Sequence, residues 1–172
     1  AAIQLAKAAG AKVIATAGSA EKCNFCLDQG ADQAINYKDE DWPEIAKTFT
    51  KGHGIDVVLD MVTGEYVQKE INIMARDGRI ALIAFLGGPK ADINFGRVLR
   101  DRITISGSTL RPQTNEEKAL IASKLDADFG ALMDTGSVRP HIFKTFPLEK
   151  ASDAHVLMES SAHMGKIILT VG

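Results

Sequence analysis

The stretch KVIATAGSAEKCNFC, residues 12–26, holds the densest set of side chains capable of chemistry. Gly18 and Ser19 close a run of small and β-branched residues, and Lys22 follows one helical turn later. A hydroxyl, the free N–H groups of a helix start and an ammonium one turn in are the parts of a phosphate site. The same residues also make an ordinary helix start, with Ser19 as N-cap and Lys22 as a solvated lysine. Cys23 and Cys26 form a C-x-x-C. A zinc site needs four ligands, however, and neither a second C-x-x-C nor a paired His motif follows. A redox role lacks the thioredoxin-like βαβ start.

The remaining titratable residues are dispersed. His53, His141 and His155 fall in different predicted elements without a carboxylate at catalytic spacing, and no G-x-S-x-G supplies a nucleophile. Glu116 with Glu117, and the run Lys38 to Asp41, read as solvated surface at a helix start and a strand exit. No catalytic side chain is assigned.

The elements that must position these residues alternate strand and helix. AAIQLAKAAG is helical and ends at Gly10, AKVIATA is a strand, and Ser19 caps a helix through Leu27 that stops at Gly30. QAINY is a second strand, and Asp41 caps a helix with Trp42 and Pro43 in its first turn. GIDVVLD, RIALIAF and ITISGST are three further strands, separated by helices near Gly64 to Ala75 and Phe95 to Arg100. Five strands near residues 12–17, 33–36, 55–60, 79–84 and 104–109 are therefore expected in one parallel sheet, and their apolar runs suit cover on both faces. Thr114 with Glu117 forms a capping box for a long helix through Met133. Beyond it SVRPHIFKTFPL, EKASDAHVLMES and GKIILTV read as strand, helix and strand outside the main sheet, because Pro140 cannot occupy a central ladder.

The order is that of a Rossmann-like, doubly wound α/β fold, except that the chain opens in a helix. Its first strand and the Gly-rich turn after it are expected to precede Ala1. In that fold an Asp or Glu at the end of the second strand binds the ribose of NAD. Here the place holds Ala17, Gly18 and Ser19, so a 2′-phosphate meets no carboxylate and finds Ser19, backbone N–H groups and Lys22. Tyr37 ends the next strand, where its hydroxyl or ring can serve the adenosine end. The combination reads as NADP.

Composition narrows the partners. The 172 residues carry 20 Lys and Arg against 22 Asp and Glu, a net charge of −2, with no basic run to follow a nucleic-acid backbone. No segment is long and apolar enough to span a bilayer, no signal peptide is visible, and two cysteines make no disulfide framework. A cytoplasmic location is the expectation.

The segments AAIQLAKAAGAKVIATAGSAEK, GADQAINYKDED, GIDVVLDMVTG, RVLRDRITISGSTLR and MESSAHMGKIILTV together resemble the zinc-independent quinone oxidoreductase branch of the medium-chain dehydrogenase/reductase superfamily. The resemblance implies an incomplete NADP-binding Rossmann domain over 1–135 and a C-terminal segment of a GroES-like catalytic domain over 136–172. It implies hydride transfer from NADPH to a quinone or activated enone, a small-molecule partner, and no resident metal. Gly18, Ser19, Lys22 and Tyr37 match the 2′-phosphate positions, and Met61 falls near the adenosine ribose. The loop with Ile83, Phe85, Leu86 and Gly87 passes the nicotinamide, and His163 and Lys166 are carried toward the cofactor. The strand at Thr104 to Thr109 matches an edge through which such enzymes form homodimers. Two other readings stay open: a non-catalytic nucleotide-binding or crystallin-like structural module, and a relative of enoyl-thioester reductases or alcohol dehydrogenases. The chain reads as part of a longer protein and is expected to be inactive alone.

Overall fold

The computed structural model describes residues 1–172. Two compact units divide them: the first comprises Ala1–Asn36 with Ser123–Gly172, and the second Tyr37–Ala122.

In the first unit helix α1 (Ala2–Ala8) leads to strand β1 (Ile14–Ala17), helix α2 (Ala20–Asp28) and strand β2 (Gln33–Asn36). β1 and β2 pair in parallel, from Ile14 opposite Gln33 to Ala17 opposite Asn36. Helix α2 lies against both strands, and Cys23, Ala31 and Ile35 are buried. Lys7 donates to Asp32 at 2.8 Å, and the same carboxylate accepts the Val13 N–H at 2.7 Å. These two bonds, the Lys7 bond first, hold the Asp32 carboxyl below its usual range.

The C-terminal part of this unit is a second small parallel βαβ piece. Strand β6 (Ile142–Pro147) runs through a 3₁₀ turn and helix α7 (Ala151–Glu159) into strand β7 (Lys166–Thr170), and the two strands pair with each other alone. Pro140 stays out of the ladder and Pro147 takes its last place, as proline's missing N–H requires. Gly165 turns the chain at φ 101° into β7, where a Cβ would lie within 3 Å of the His141 ring. Before this piece stands the long helix α6 (Asn115–Asp134), which crosses from the second unit's residues into the first. Its capping box forms in full: Thr114 Oγ1 accepts the Glu117 N–H, and Glu117 Oε2 accepts the Thr114 N–H at 2.7 Å.

The second unit contains helix α3 (Trp42–Phe49), strand β3 (Ile55–Asp60), helix α4 (Glu65–Ile73), strand β4 (Met74–Leu82), helix α5 (Gly96–Asp101) and strand β5 (Thr104–Gly107). Asp41 caps α3 through the Glu44 N–H, with proline in the first turn. β4 lies between β3 and β5, and both pairings are parallel. The core sits where Val67 and Ile71 of α4 meet Met74, Ile80 and Ile103. Ile71 and Ile80 have no exposed surface, and each stabilises the unit by about 1.5–3 kcal/mol.

Four sequence expectations are corrected. The five strands do not form one sheet: β1–β2 and β3–β4–β5 are separate ladders. β3 is accordingly an edge strand, and Val57 and Leu59 are about half exposed instead of covered. The helix before β4 ends at Ile73, not near Ala75, and β4 ends at Leu82, before Ile83 to Phe85. The early start of β4 contains a bulge, since Ile55 faces Met74 and Val57 already faces Arg79. Asp77 within it is left-handed at φ 63°. Its carboxylate accepts two bonds from the Arg102 guanidinium at 2.7 and 2.6 Å, which ties the bulge to the turn before β5.

Candidate functional site

The predicted site residues divide between the two units. In the first, Gly18 follows β1 and Ser19 caps α2, its hydroxyl accepting the Lys22 N–H at 3.3 Å. The ammonium of Lys22 donates to the carbonyl of Ser161 at 2.5 Å, in the loop between α7 and β7. The fold thus brings Ser19 and Lys22 to the loop that carries His163. His163 is partly buried, and its Nδ1 is buried without a hydrogen-bond partner. Lys166 opens β7 with an exposed side chain and donates its backbone N–H to His141. Nearby, Phe25 meets the His141 ring edge-on at 4.8 Å.

The cysteines of the opening stretch form no disulfide. Burial, then the neighbouring Cys23, pushes the Cys26 thiol up. That opposes thiolate formation, which both metal binding and redox exchange need.

In the second unit the carboxyl ends of β3 and β4 are bolted together. Asp60, the last residue of β3, is 3% exposed. Its carboxylate accepts the N–H groups of Val62 at 2.6 Å and Thr63 at 3.0 Å, which folds residues 61–63 into a tight turn. Thr63 is held left-handed at φ 56°. Its Oγ1 lies 2.7 Å from the carbonyl oxygens of both Val62 and Gly88 and shares its proton between them. Leu86 and Gly87 donate their N–H groups to Met61 and Val62. Backbones touch here: a Cβ on Gly64, at φ 57°, would stand 2.5 Å from the Gly87 oxygen.

Met61, Ile83, Phe85, Leu86 and Gly87 are therefore assembled by these loops, and most are open to solvent, Phe85 by 69% and Leu86 by 80%. A cleft of about 520 Å³ opens beside them, lined by Thr63, Gly64, Ile83, Phe85, Lys90 and Ser108, among others. It lies beyond the carboxyl ends of β4 and β5, where open α/β sheets hold ligands. Tyr37, at the exit of β2, is partly exposed and meets the Tyr66 ring edge-on, while Trp42 stacks on that same Tyr66 ring at 5.4 Å.

Sequence reasoning missed four members of this arrangement: Asp60, Thr63, Tyr66 and Glu70. Glu70 is 5% exposed and its Oε2 has no partner. Burial first, and Asp60 second, push its carboxyl up to about 8. Burial also pushes the Tyr66 phenol up, helped by Tyr37, Glu70 and Asp60.

Parallel βα ladders with loops gathered at their carboxyl ends are the frame of an open α/β fold. The chain belongs to the zinc-binding dehydrogenase family, which it matches over residues 1–129. It is 32% identical to the quinone oxidoreductases of Rattus norvegicus and Sus scrofa, over 96% and 98% of its own length. It spans about half the length of these relatives, 49% and 50%. Among solved structures, Escherichia coli quinone oxidoreductase complexed with NADPH superposes with a TM-score of 0.83 at 28% identity, over 99% of this chain and 52% of the other. The quinone oxidoreductase of Thermus thermophilus gives 0.80 at 29% identity, over 99% and 53%. An NAD-dependent alcohol dehydrogenase gives 0.80 at 33% identity, over 99% and 47%. No helix is long and apolar enough to cross a membrane. The His, Cys, Asp and Glu side chains nowhere converge in groups of three or more.

Proposed function

We propose that the chain is the cofactor-binding part of an NADPH-dependent oxidoreductase that reduces a quinone or an activated enone. The observation that carries this reading is the bolted pair of loops at the carboxyl ends of β3 and β4, which leaves an open, largely apolar wall beside a cleft of about 520 Å³. Such a wall suits a flat aromatic ring approached by backbone. Residues 1–135 serve as the cofactor domain and 136–172 as a segment of the catalytic domain, in a cytoplasmic protein.

In this reading Ser19, the α2 N-terminus, Lys22 and Tyr37 hold the 2′-phosphate, with Gly18 leaving room for it. Met61 lies along the adenosine ribose. Ile83, Phe85, Leu86 and Gly87 shield the ring, and His163 and Lys166 are further cofactor contacts. Lys22 keeps two further ammonium protons beyond the one given to Ser161, and the unpartnered Nδ1 of His163 is a polar atom awaiting a bond. The nicotinamide supplies the hydride, so the residues of this chain bind, orient and exclude water. The exposed β5 edge at Thr104 to Thr109 pairs with a second copy.

Titration of a protein carrying this chain with NADPH and NADH tests the reading. Lys22→Ala is expected to weaken NADPH binding by about 1.5–3 kcal/mol, the range for a hydrogen bond to a charged group, and to leave NADH unchanged. The probe 2′,5′-ADP should report the same loss, and 5′-AMP none. Equal losses for both dinucleotides would reduce Gly18, Ser19 and Lys22 to a helix cap.

A further inference from the structure

Of all the residues that line the cleft beyond the carboxyl ends of β4 and β5, Lys90 alone carries a charge. The rest of the lining is mostly apolar, with Val67, Leu82, Ile83, Phe85 and Ile93 among it, and no carboxylate lines it. Lys90 is exposed and makes no ion pair or hydrogen bond within the chain. Its near neighbour Asp92 is exposed too, but lies outside the lining. The cofactor contacts proposed above give this cation no task.

The backbone that carries Lys90 is held at both ends by α4 and the turn before it. On one side the Gly88 carbonyl oxygen lies 2.7 Å from the Thr63 hydroxyl. On the other the Asn94 N–H donates to Gln68 Oε1 at 2.6 Å, and the Gln68 amide donates in turn to Asn72 Oδ1 at 2.9 Å. Between these anchors Pro89 fixes its own φ, and Ile93 packs against the core of the unit. A short, anchored span thus presents an unpaired ammonium beside an apolar wall.

We propose that Lys90 sets the charge selectivity of the cleft, so that the acceptor it takes is a flat aromatic or quinonoid ring bearing an anionic substituent, a sulfonate or a carboxylate. The ring lies on the apolar wall and the ammonium pairs with the anionic group, whereas a cationic substituent would face a like charge and find no carboxylate. This inference rests on the reading of the cleft as the acceptor site. Charge pairing in a half-open position adds little raw affinity and mainly discriminates between ligands. Selectivity is therefore the property to measure.

Anthraquinone-2-sulfonate and the neutral 2-(hydroxymethyl)anthraquinone, titrated into the 172-residue chain without cofactor and followed by backbone amide shifts, test the proposal. The sulfonate should bind tighter by about fivefold, the upper end for an exposed ion pair, and about 0.5 M salt should shrink that margin. Lys90→Met should remove the preference and Lys90→Arg should keep it. In the unmodified chain the shifts should concentrate at Lys90, Ala91, Ile93 and Ser108, a readout that needs no variant. Equal affinities, no binding of either probe, a preference that persists in Lys90→Met, or shifts centred away from the cleft would overturn the proposal. NADPH plays no part in this titration and Lys22 belongs to the other unit, so the two readings fail separately. Equal dinucleotide losses in Lys22→Ala would overturn the cofactor reading and leave the sulfonate preference standing.

Discussion

Thr63 Oγ1 and the carbonyl oxygen of Gly88, 25 residues apart, lie 2.7 Å from each other and join the loop after β3 to the loop after β4. The threonine is left-handed and buried, a conformation that a β-branched residue rarely adopts. The bond and the Asp60 carboxylate together hold it there.

Removing either side of this joint should destabilise the second unit. Thr63→Val keeps the shape, loses the donor and leaves the Gly88 carbonyl short of a partner, at an expected cost of about 1–3 kcal/mol. Gly64→Ala should cost at least as much, because the new methyl carbon would meet the Gly87 oxygen at 2.5 Å. Urea unfolding followed by Trp42 emission measures both. A Gly64→Ala protein as stable as the original would contradict the close approach of the two loops.

The pH dependence of stability should carry the mark of Glu70. Its carboxyl is pushed up to about 8 in the folded chain, against about 4.3 when unfolded. Between those values the folded state holds a proton that the unfolded state has released. Stability from this group is therefore fully present below about pH 4.3 and declines as pH rises, by up to about 1.4 kcal/mol per pH unit, until the folded group also ionises near 8. Unfolding curves for Glu70→Gln should lack this decline, and parallel pH profiles for the two proteins would refute it.

Cys26 should be a slow thiol despite the C-x-x-C. Its pKa is raised by burial and by Cys23, so the thiolate fraction near neutral pH falls below that of a free cysteine. Reaction with a disulfide reagent at neutral pH should be slower than for a small-molecule thiol. A faster rate would restore the redox reading of this motif.

Much of this was legible from residue types alone. The caps at Ser19, Asp41 and Thr114 form as their side chains dictate, and strand positions such as 33–36 and 55–60 coincide with the ladders. The bulge at Asp77 was hidden, because its conformation depends on Arg102, a partner 25 residues away. Glu70 left a trace that periodicity can find: it sits three after Val67 and one before Ile71, on the apolar face of an amphipathic helix. The Asp60 turn had a cue in LDMVTG, an Asp ending an apolar strand before Thr and Gly. That Lys22 reaches Ser161 spans 139 residues and no local pattern encodes it.

The edge of β5 yields an association prediction. β5 pairs with β4 on one side, its other side has no strand, and most of its residues are exposed. An open edge of this kind recruits a second strand. Sedimentation velocity across micromolar concentrations should show a dimer, and a monomer throughout would remove the β5 pairing.

The first unit is assembled from the two ends of the sequence, residues 1–36 and 123–172, with all of the second unit encoded between them. Gln4 accepts the N–H of Arg139, and Lys22 reaches Ser161, so each part supplies bonds to the other. During synthesis the bonds that residues 1–36 make to Arg139 and Ser161 can form only after the intervening residues 37–122 have left the ribosome. The order of translation thus favours the cleft-bearing unit first, and a ribosome stalled once residue 122 has emerged should present it protease-resistant while residues 1–36 remain cleavable.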